Sequence, residues 1–474
     1  MALTSTSTGR AGSGRALLAV LMPAMLVTVI ASDMVNLVLP SIGAEFGASE
    51  AELAWIVTGF LLMFSVGVPF YGRVSDRVSL RRLFGFALVT YAAGSLLCAL
   101  APGLLVLVAG RIVMGAGAAA LPVLSIIAVT RLMPKERRGM GIGVISAATG
   151  VGTAAGPAVG GGIGQFLGWP ALFWLMFVAA LALLPAAMRV LPGEPPAGAG
   201  RFDLPGGILL GLGAGLALFG VTQAQVAGFA APSSWGSLVA AVVAITLFGW
   251  RTARVAQPFV PPALFTNRVY AAAVVVAFLA MIVNLGGLVF VSLLVVDVNG
   301  LEPGQGALVM IPAGIAVAAL SPLIGRLADR IGTRSLVLAG LTIVGLFALF
   351  LSSFASGTSV LPAGIGIFGL SVGFILVMTP IISAAASALP AEQVGVGLGI
   401  LQGAQFLGAG AGPALFGVLV TARREGGGAA LNPLYPGHEG AAFSDVFLAM
   451  AGVVVLALIV AFRMRPAAGP ARSR

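Results

Sequence analysis

The sequence predicts an all-α integral membrane protein: two six-helix bundles plus two inserted helices, fourteen transmembrane spans in all. Three observations predict it. Of 474 residues, 59% are hydrophobic and 8% charged, against about 25% charged in soluble domains, so most of the chain has no water to face. Apolar segments recur at the length a bilayer demands, about 20 residues each. A charged hairpin and a glycine-rich motif each occur twice, half a chain apart.

The N-terminal six-helix bundle, 16–191, comprises the spans 16–40, 52–71, 83–101, 104–131, 139–165 and 170–191. The first span follows Arg10 and Arg15, as a signal peptide's core would. It is too long for one and lacks a small-residue cleavage site, so it reads as a retained helix. A cytoplasmic linker, 192–204, is rich in Pro, Gly and Ala and too full of breakers to fold alone. Two inserted spans, 205–224 and 235–253, fill 205–253. The C-terminal six-helix bundle, 269–463, holds 269–296, 304–325, 334–354, 359–385, 394–421 and 441–463.

Charge supports this count. With the N-terminus inside, every Lys and Arg except Arg111, Arg423 and Arg424 falls on the cytoplasmic side. That bias places both termini in the cytoplasm. It also accounts for the net charge of +10 without nucleic acid, because the arginines lie in short loops between apolar segments. The single cysteine, Cys98, sits inside a span, so there is no disulfide framework. Polar groups at membrane depth are scattered. No cluster of His, Cys or carboxylates offers a metal site or the machinery of an enzyme, and no cofactor is implied.

The repetition has a fixed spacing. Gly72-Arg73-Val74-Ser75-Asp76-Arg77 returns 253 residues later as Gly325-Arg326-Leu327-Ala328-Asp329-Arg330. Pro134, Glu136, Gly139, Gly141 and Gly143 return at an offset of 256 as Pro390, Glu392, Gly395, Gly397 and Gly399. At that same offset Gly152, Gly156 and Pro157 match Gly408, Gly412 and Pro413. Two halves so related are parallel repeats.

Several residues carry candidate chemistry. Gly72 permits a tight helix exit, and Asp76 can accept from a neighbouring helix N-terminus. Arg73 and Arg77 can pair with it or with anionic lipid. Asp33 is the one carboxylate deep in a predicted span, where a charge costs about 2.5–3.5 kcal/mol. It is either a proton-exchanging group facing a cavity or a structural carboxylate paired with Ser32, Asn36 or a neighbouring helix. Arg111 cannot shed its charge, so it lines a wet cavity or bonds to carbonyls between helices. Asn36, Ser146, Thr149, Asn284, Gln402 and Gln405 are the polar groups expected to face a central cavity. Met, Phe and small residues would line the rest of it, which suits an amphipathic substrate. Each of these polar groups also reads as an ordinary helix-packing hydrogen bond.

The hairpin resembles the loop between the second and third helices of the major facilitator superfamily, with Ser79 where a glycine is usual. The resemblance implies a cytoplasmic latch made of Gly72, Arg73, Asp76 and Arg77, repeated as Gly325, Asp329 and Arg330. The stretch Asp33 to Pro40 is similar to the first-helix motif of drug–proton antiporters, with the acid two residues nearer the Asn. Arg111 with Gly115 and Gly117 resembles the fourth-helix motif, whose arginine is implicated in proton transfer. Gly152, Gly156, Pro157, Gly160 and Gly161 resemble the fifth-helix antiporter motif. Together with fourteen spans, these features point to the fourteen-helix drug–proton antiporter branch. That implies a monomeric secondary transporter in a bacterial cytoplasmic membrane, exporting amphipathic drugs or antibiotics in exchange for protons by alternating access. A lipid translocator or an uptake carrier on the same fold is the alternative.

Overall fold

In lipid every backbone N–H and C=O must find its partner within the chain, which for a single apolar run means a helix. The computed structural model describes residues 7–48, 50–194, 203–228, 230–300, 309–357, 359–435 and 440–464, and no strand occurs among them. It divides into two compact units.

The first unit is Met1–Pro261 with Pro390–Gly403. Its helices are α1 (Ser7–Asp33), α2 (Leu39–Phe46), α3 (Glu50–Val74), α4 (Leu80–Ala99), α5 (Leu104–Ala118), α6 (Ala120–Leu132), α7 (Arg138–Leu167), α8 (Trp169–Val190), α9 (Leu204–Ala227) and α10 (Pro232–Arg254). The second unit is Pro262–Leu389 with Ala404–Arg474. It holds the short α11 (Ala263–Thr266), then α12 (Arg268–Asp297), α13 (Ile311–Ile331), α14 (Thr333–Phe354), α15 (Leu361–Ser387) and α17 (Ala441–Phe462). Between the last two runs α16 (Val394–Gly426), which gives its first turns to the first unit and its remainder to the second.

Among the described residues, thirteen helical stretches are long and apolar enough to cross a membrane, with α5 and α6 counted as one stretch. The predicted span 139–165 is occupied by α7, a further helix of 30 residues.

Several helix ends lie a few residues from the expected ones, and three expected spans differ in course or extent. The segment 16–40 is not one helix: α1 stops at Asp33, a 3-10 turn covers Met34–Leu37, and α2 restarts with a proline in its first turn. Proline has no N–H to donate, so it begins a helix more readily than it continues one. The predicted span 104–131 breaks at Ala119, because Pro122 offers no N–H to the carbonyl four residues before it. The span expected over 304–325 lies in α13, and residues 301–308 fall outside the described ones.

Glycine sets the helix spacing. On α7, a Cβ at Gly152 or Gly160 would strike Val29 or the Met34 backbone beside it. In the second unit Gly408 and Gly412 of α16 meet the Phe278 and Ile282 carbonyls of α12 in the same way. At the offset of 256, Gly152 and Gly408 thus both admit a neighbouring helix, while the counterpart of Gly160 is Phe416. The inserted pair α9–α10 lies on α3. Gly211 and Gly215 admit Val66 and Leu62, and Trp55 meets Phe219 with ring centroids 5.4 Å apart. The far face of α10 exposes Trp235, Val239, Val242, Val243, Leu247 and Trp250, an apolar surface for lipid.

Candidate functional site

The charged hairpin builds the most connected polar site of the first unit. The turn after α3 leads to Ser79, which caps α4 by accepting from the Arg82 N–H at 3.4 Å. Ser79 has φ −59°, so the missing glycine carries no backbone strain there. In the second copy Gly332 stands alone between α13 and α14 with φ +88°, a conformation that suits glycine. Gly72 lies within α3, and its role differs from a helix exit. A Cβ there would collide with the Gly395 carbonyl and the Gly399 backbone, so Gly72 lets α3 touch the start of α16.

That approach delivers Asp76 to a helix terminus. Its side chain is 3% exposed. Oδ1 accepts from Arg131 Nη2 at 2.6 Å and from the Gly395 N–H at 2.9 Å, and Oδ2 accepts from the Val396 N–H at 3.0 Å. Arg73 Nη1 stands 3.9 Å from Oδ2. The N–H groups opening α16 have no intrahelical partners and carry the positive end of its dipole, so a carboxylate belongs there. Burial pushes the Asp76 pKa up to about 6; Arg131, the two N–H donors and Arg73 oppose that shift without cancelling it. Arg131 also donates to the Ser75 carbonyl at 2.7 Å, gripping the turn twice. Arg77 is half-buried on the same turn. In the second unit Gly325 is buried, while Asp329 and Arg330 are exposed at the end of α13. Arg131 was legible only as one more cytoplasmic arginine; nothing local marked it as the partner of Asp76.

Arg111 is fully buried on α5. Gly115 and Gly117 bring α5 against the backbones of Phe60 on α3 and Tyr91 on α4. In the resulting crevice Arg111 donates from Nε to the Ile56 carbonyl at 3.1 Å and from Nη1 to the Ala31 carbonyl at 3.2 Å. Its guanidinium carbon lies 4.2 Å from the centre of the Phe60 ring, a cation–π arrangement. Its Nη2 has no hydrogen-bond partner among the described residues. One side chain thus joins α5 to α3 and to the last turn of α1.

The other expected site residues are dispersed. The side chains of Asp33, Asn36, Pro157 and Gly161 lie outside the described residues. Ser146 and Thr149 are half-buried one turn apart on α7, and Thr149 bonds back to the Ile145 carbonyl at 3.3 Å. Gln402 is buried and Gln405 half-buried on α16, and the Nε2 of each lacks a partner among the described residues. Asn284 is half-buried on α12. A cavity of about 300 Å³ in the second unit touches none of these; Asp297, Arg423, Arg424, Gly427 and Phe443 are among its lining.

The two arginines that break the charge bias are both ion-paired. Arg423 Nε donates to Asp445 Oδ2 at 2.5 Å, and Arg424 Nη2 to Asp297 Oδ2 at 2.8 Å. Asp445 also accepts from the Leu431 N–H at 2.7 Å, which anchors the loop after α16. Beside it the buried Asn432 donates to the Ser352 and Ser353 hydroxyls, both at 2.9 Å.

Comparison with known proteins places these features in a family. The Major Facilitator Superfamily profile matches residues 21–413 and 315–474. The multidrug resistance protein Stp of Mycobacterium tuberculosis is 31% identical over 392 residues, covering 82% of this chain and 72% of that protein. The tetracenomycin C resistance and export protein of Streptomyces glaucescens is 30% identical, covering 85% and 76%. The lincomycin resistance protein LmrB of Listeria monocytogenes is 26% identical, covering 82% and 83%. Among solved structures, the human organic anion transporter MFSD10 superposes with a TM-score of 0.68 at 17% identity, over 94% of this chain and 99% of that one. The Escherichia coli fucose:proton symporter superposes with a TM-score of 0.64 at 16% identity, over 95% and 98%. The fold, the profile match across most of the length and relatives above 30% identity agree: the chain is a multi-pass membrane transporter of the major facilitator superfamily.

Proposed function

We propose that this transporter exports amphipathic drugs or antibiotics across a bacterial cytoplasmic membrane in exchange for protons. The observation that carries the reading is identity of 30–31% over more than four-fifths of the chain to proteins named for multidrug resistance and for antibiotic resistance and export. The charge bias supports an orientation with both termini in the cytoplasm. Then the hairpin Gly72, Arg73, Asp76, Arg77, the start of α16 and the second hairpin Gly325, Asp329, Arg330 all belong to the cytoplasmic side. In this reading they latch the inner gate while the outer side is open.

Proton exchange is assigned to Asp33 with Arg111. Arg111 reaches the Ala31 carbonyl, two residues before Asp33, at the point where α1 ends. A helix end leaves carbonyls without intrahelical partners, and Arg111 binds one close to Asp33 in sequence. Substrate and proton would then compete to break and remake that arrangement as the halves rock. Asn36, Ser146, Thr149, Asn284, Gln402 and Gln405 are assigned to the substrate path. The Nε2 atoms of Gln402 and Gln405, without partners among the described residues, support this, since an orphaned donor is available to a ligand. The glycines of α7 supply the close seam against α1 over which such motion would pass.

The test is transport of a cationic dye and of a neutral antibiotic into proteoliposomes under an imposed pH gradient. Gradient-driven movement that Asp33→Asn abolishes is expected. Movement that persists in the variant removes Asp33 from coupling, and no movement of either compound removes drug export.

A further inference from the structure

The inserted helices carry a polar site of their own. Asp203 caps α9, and its side chain is 1% exposed. Oδ1 accepts from the Gly206 N–H at 3.1 Å and from Arg251 Nε at 2.8 Å, while Oδ2 accepts from the Phe259 N–H at 3.2 Å. One carboxylate therefore fastens the start of α9, the last turn of α10 and the segment that leaves α10. Gly206 and Gly207 leave no room for a Cβ, because the Asp203 carboxylate and the Phe259 ring fill that space. Burial pushes the Asp203 pKa up, but Arg251 and the two N–H donors outweigh it and hold the carboxyl below its usual range.

The fastened segment touches the hairpin. Phe259 is buried and stacks on Phe70 of α3, ring centroids 6.5 Å apart at 22°. The residue before it, Pro258, presents its carbonyl to Arg73 Nη2 at 3.5 Å, and Arg73 Nη1 lies 3.9 Å from Asp76. The apolar contacts between α9 and α3 already hold the inserted pair in place. An ion pair with its carboxylate buried is a poor way to add stability, because desolvation offsets most of the attraction, but it fixes one geometry well.

We infer that the inserted pair is a clasp for the hairpin, and that Asp203 is a positioning residue. Through Arg251 and the Phe259 amide it sets the Pro258 carbonyl where that group steers Arg73 against Asp76. The inference rests on the latch reading of Asp76.

A cysteine reporter in proteoliposomes tests it. Cys98→Ala leaves no native thiol, and Ser75→Cys then places one thiol in the turn beside Asp76, fully buried while the turn is held. Labelling by a water-soluble maleimide at neutral pH reports release of the turn. Asp203→Asn is expected to raise the labelling rate about fivefold, a coupling toward the lower end of the range for residues sharing one network. Arg73→Ala should raise it similarly, and the double variant should rise no further than the larger single effect, since both act through one contact. A purely structural role for Asp203 would instead multiply the two effects, which overturns the inference, as does an unchanged rate in Asp203→Asn. Should Asp203→Asn fail to fold, Arg251→Gln carries the same cycle with both amide bonds kept. Failure of both to fold overturns the inference too, because the clasp would then be holding the fold and not Arg73. Asp76→Ala in the same background separates the premise by removing both acceptor oxygens: if it does not raise labelling, the latch reading falls and the inference with it.

Discussion

Asp76 and Arg131 stand 55 residues apart in sequence and 2.6 Å apart in space, joining the turn after α3 to the end of α6. The carboxylate of that pair also caps α16, so a single buried group ties three helices. Its titration then follows from burial. In water Asp76 would titrate near 3.8; held in the site, it titrates near 6. The held state binds the proton more tightly than the released one. Its advantage is therefore complete below about pH 4, declines as pH rises through 6, and is flat beyond. Two pH units correspond to about 3 kcal/mol. Arg73 and Arg131 stay charged throughout. Labelling of Ser75→Cys, corrected for thiol ionisation against denatured chain, should slow as pH falls from 7 to 5 (a range spanning that pKa). In Asp76→Asn that dependence should vanish.

Arg131→Gln removes the cation from a buried carboxylate, a loss on the order of 3–5 kcal/mol when the charge has nowhere to go. Here it has an exit, because Asp76 takes up a proton more readily once Arg131 no longer opposes it. The deficit in thermal stability should accordingly be larger at alkaline than at acid pH. A deficit independent of pH would mean that Arg131 acts through the Ser75 carbonyl alone.

Arg111→Lys is expected to behave almost as badly as Arg111→Met. Only a forked guanidinium reaches the Ile56 and Ala31 carbonyls at once while its face covers Phe60. Lysine keeps the charge, loses the fork and buries an ammonium with too few acceptors. Both variants should lose several degrees of thermal unfolding midpoint, corresponding to about 2–4 kcal/mol. If lysine retained full stability and transport, charge alone would be the requirement.

The glycines of the two halves predict a matched pair of effects. Gly408→Ala drives a Cβ into the Phe278 carbonyl, whereas Gly152→Ala meets the movable Val29 side chain. Overpacking costs about 1–3 kcal/mol, so Gly408→Ala should fall at the upper end and Gly152→Ala at the lower. Gly403→Ala, with open space around it, should leave the unfolding midpoint unchanged.

Much of this was legible in the sequence because membrane helices are local. A run of apolar residues must become a helix whatever lies beside it, and the repeat offsets tied Gly152 to Gly408 without coordinates. The hairpin was legible because five charges between apolar runs stand out. What stayed hidden is pairing at long range. Arg131 and Asp203 carry ordinary local signals, a helix-terminal arginine and an N-cap aspartate before Pro205, and their partners lie 48 or more residues away. The break after Asp33 has its only local signal in Pro40, which starts α2 and does not end α1. Gly72 looks like a helix exit in the sequence because the helix it touches, α16, comes more than 300 residues later.

The Asp297–Arg424 and Asp445–Arg423 ion pairs separate burial from mere proximity. Asp297 and Arg424 are 39% and 52% exposed, so water screens them, and Asp297→Asn should cost no more than about 1 kcal/mol. Asp445 is 1% exposed and holds both Arg423 and the Leu431 amide. Asp445→Asn strands a cation and slackens the loop that Asn432 pins, a loss of about 3 kcal/mol. Unfolding midpoints of the two variants in one detergent decide the matter. Equal shifts would mean that the Asp445 pair is screened as fully as the exposed one. A large shift in Asp445→Asn alone would identify that aspartate as the residue that lets a basic loop lie opposite the prevailing charge bias.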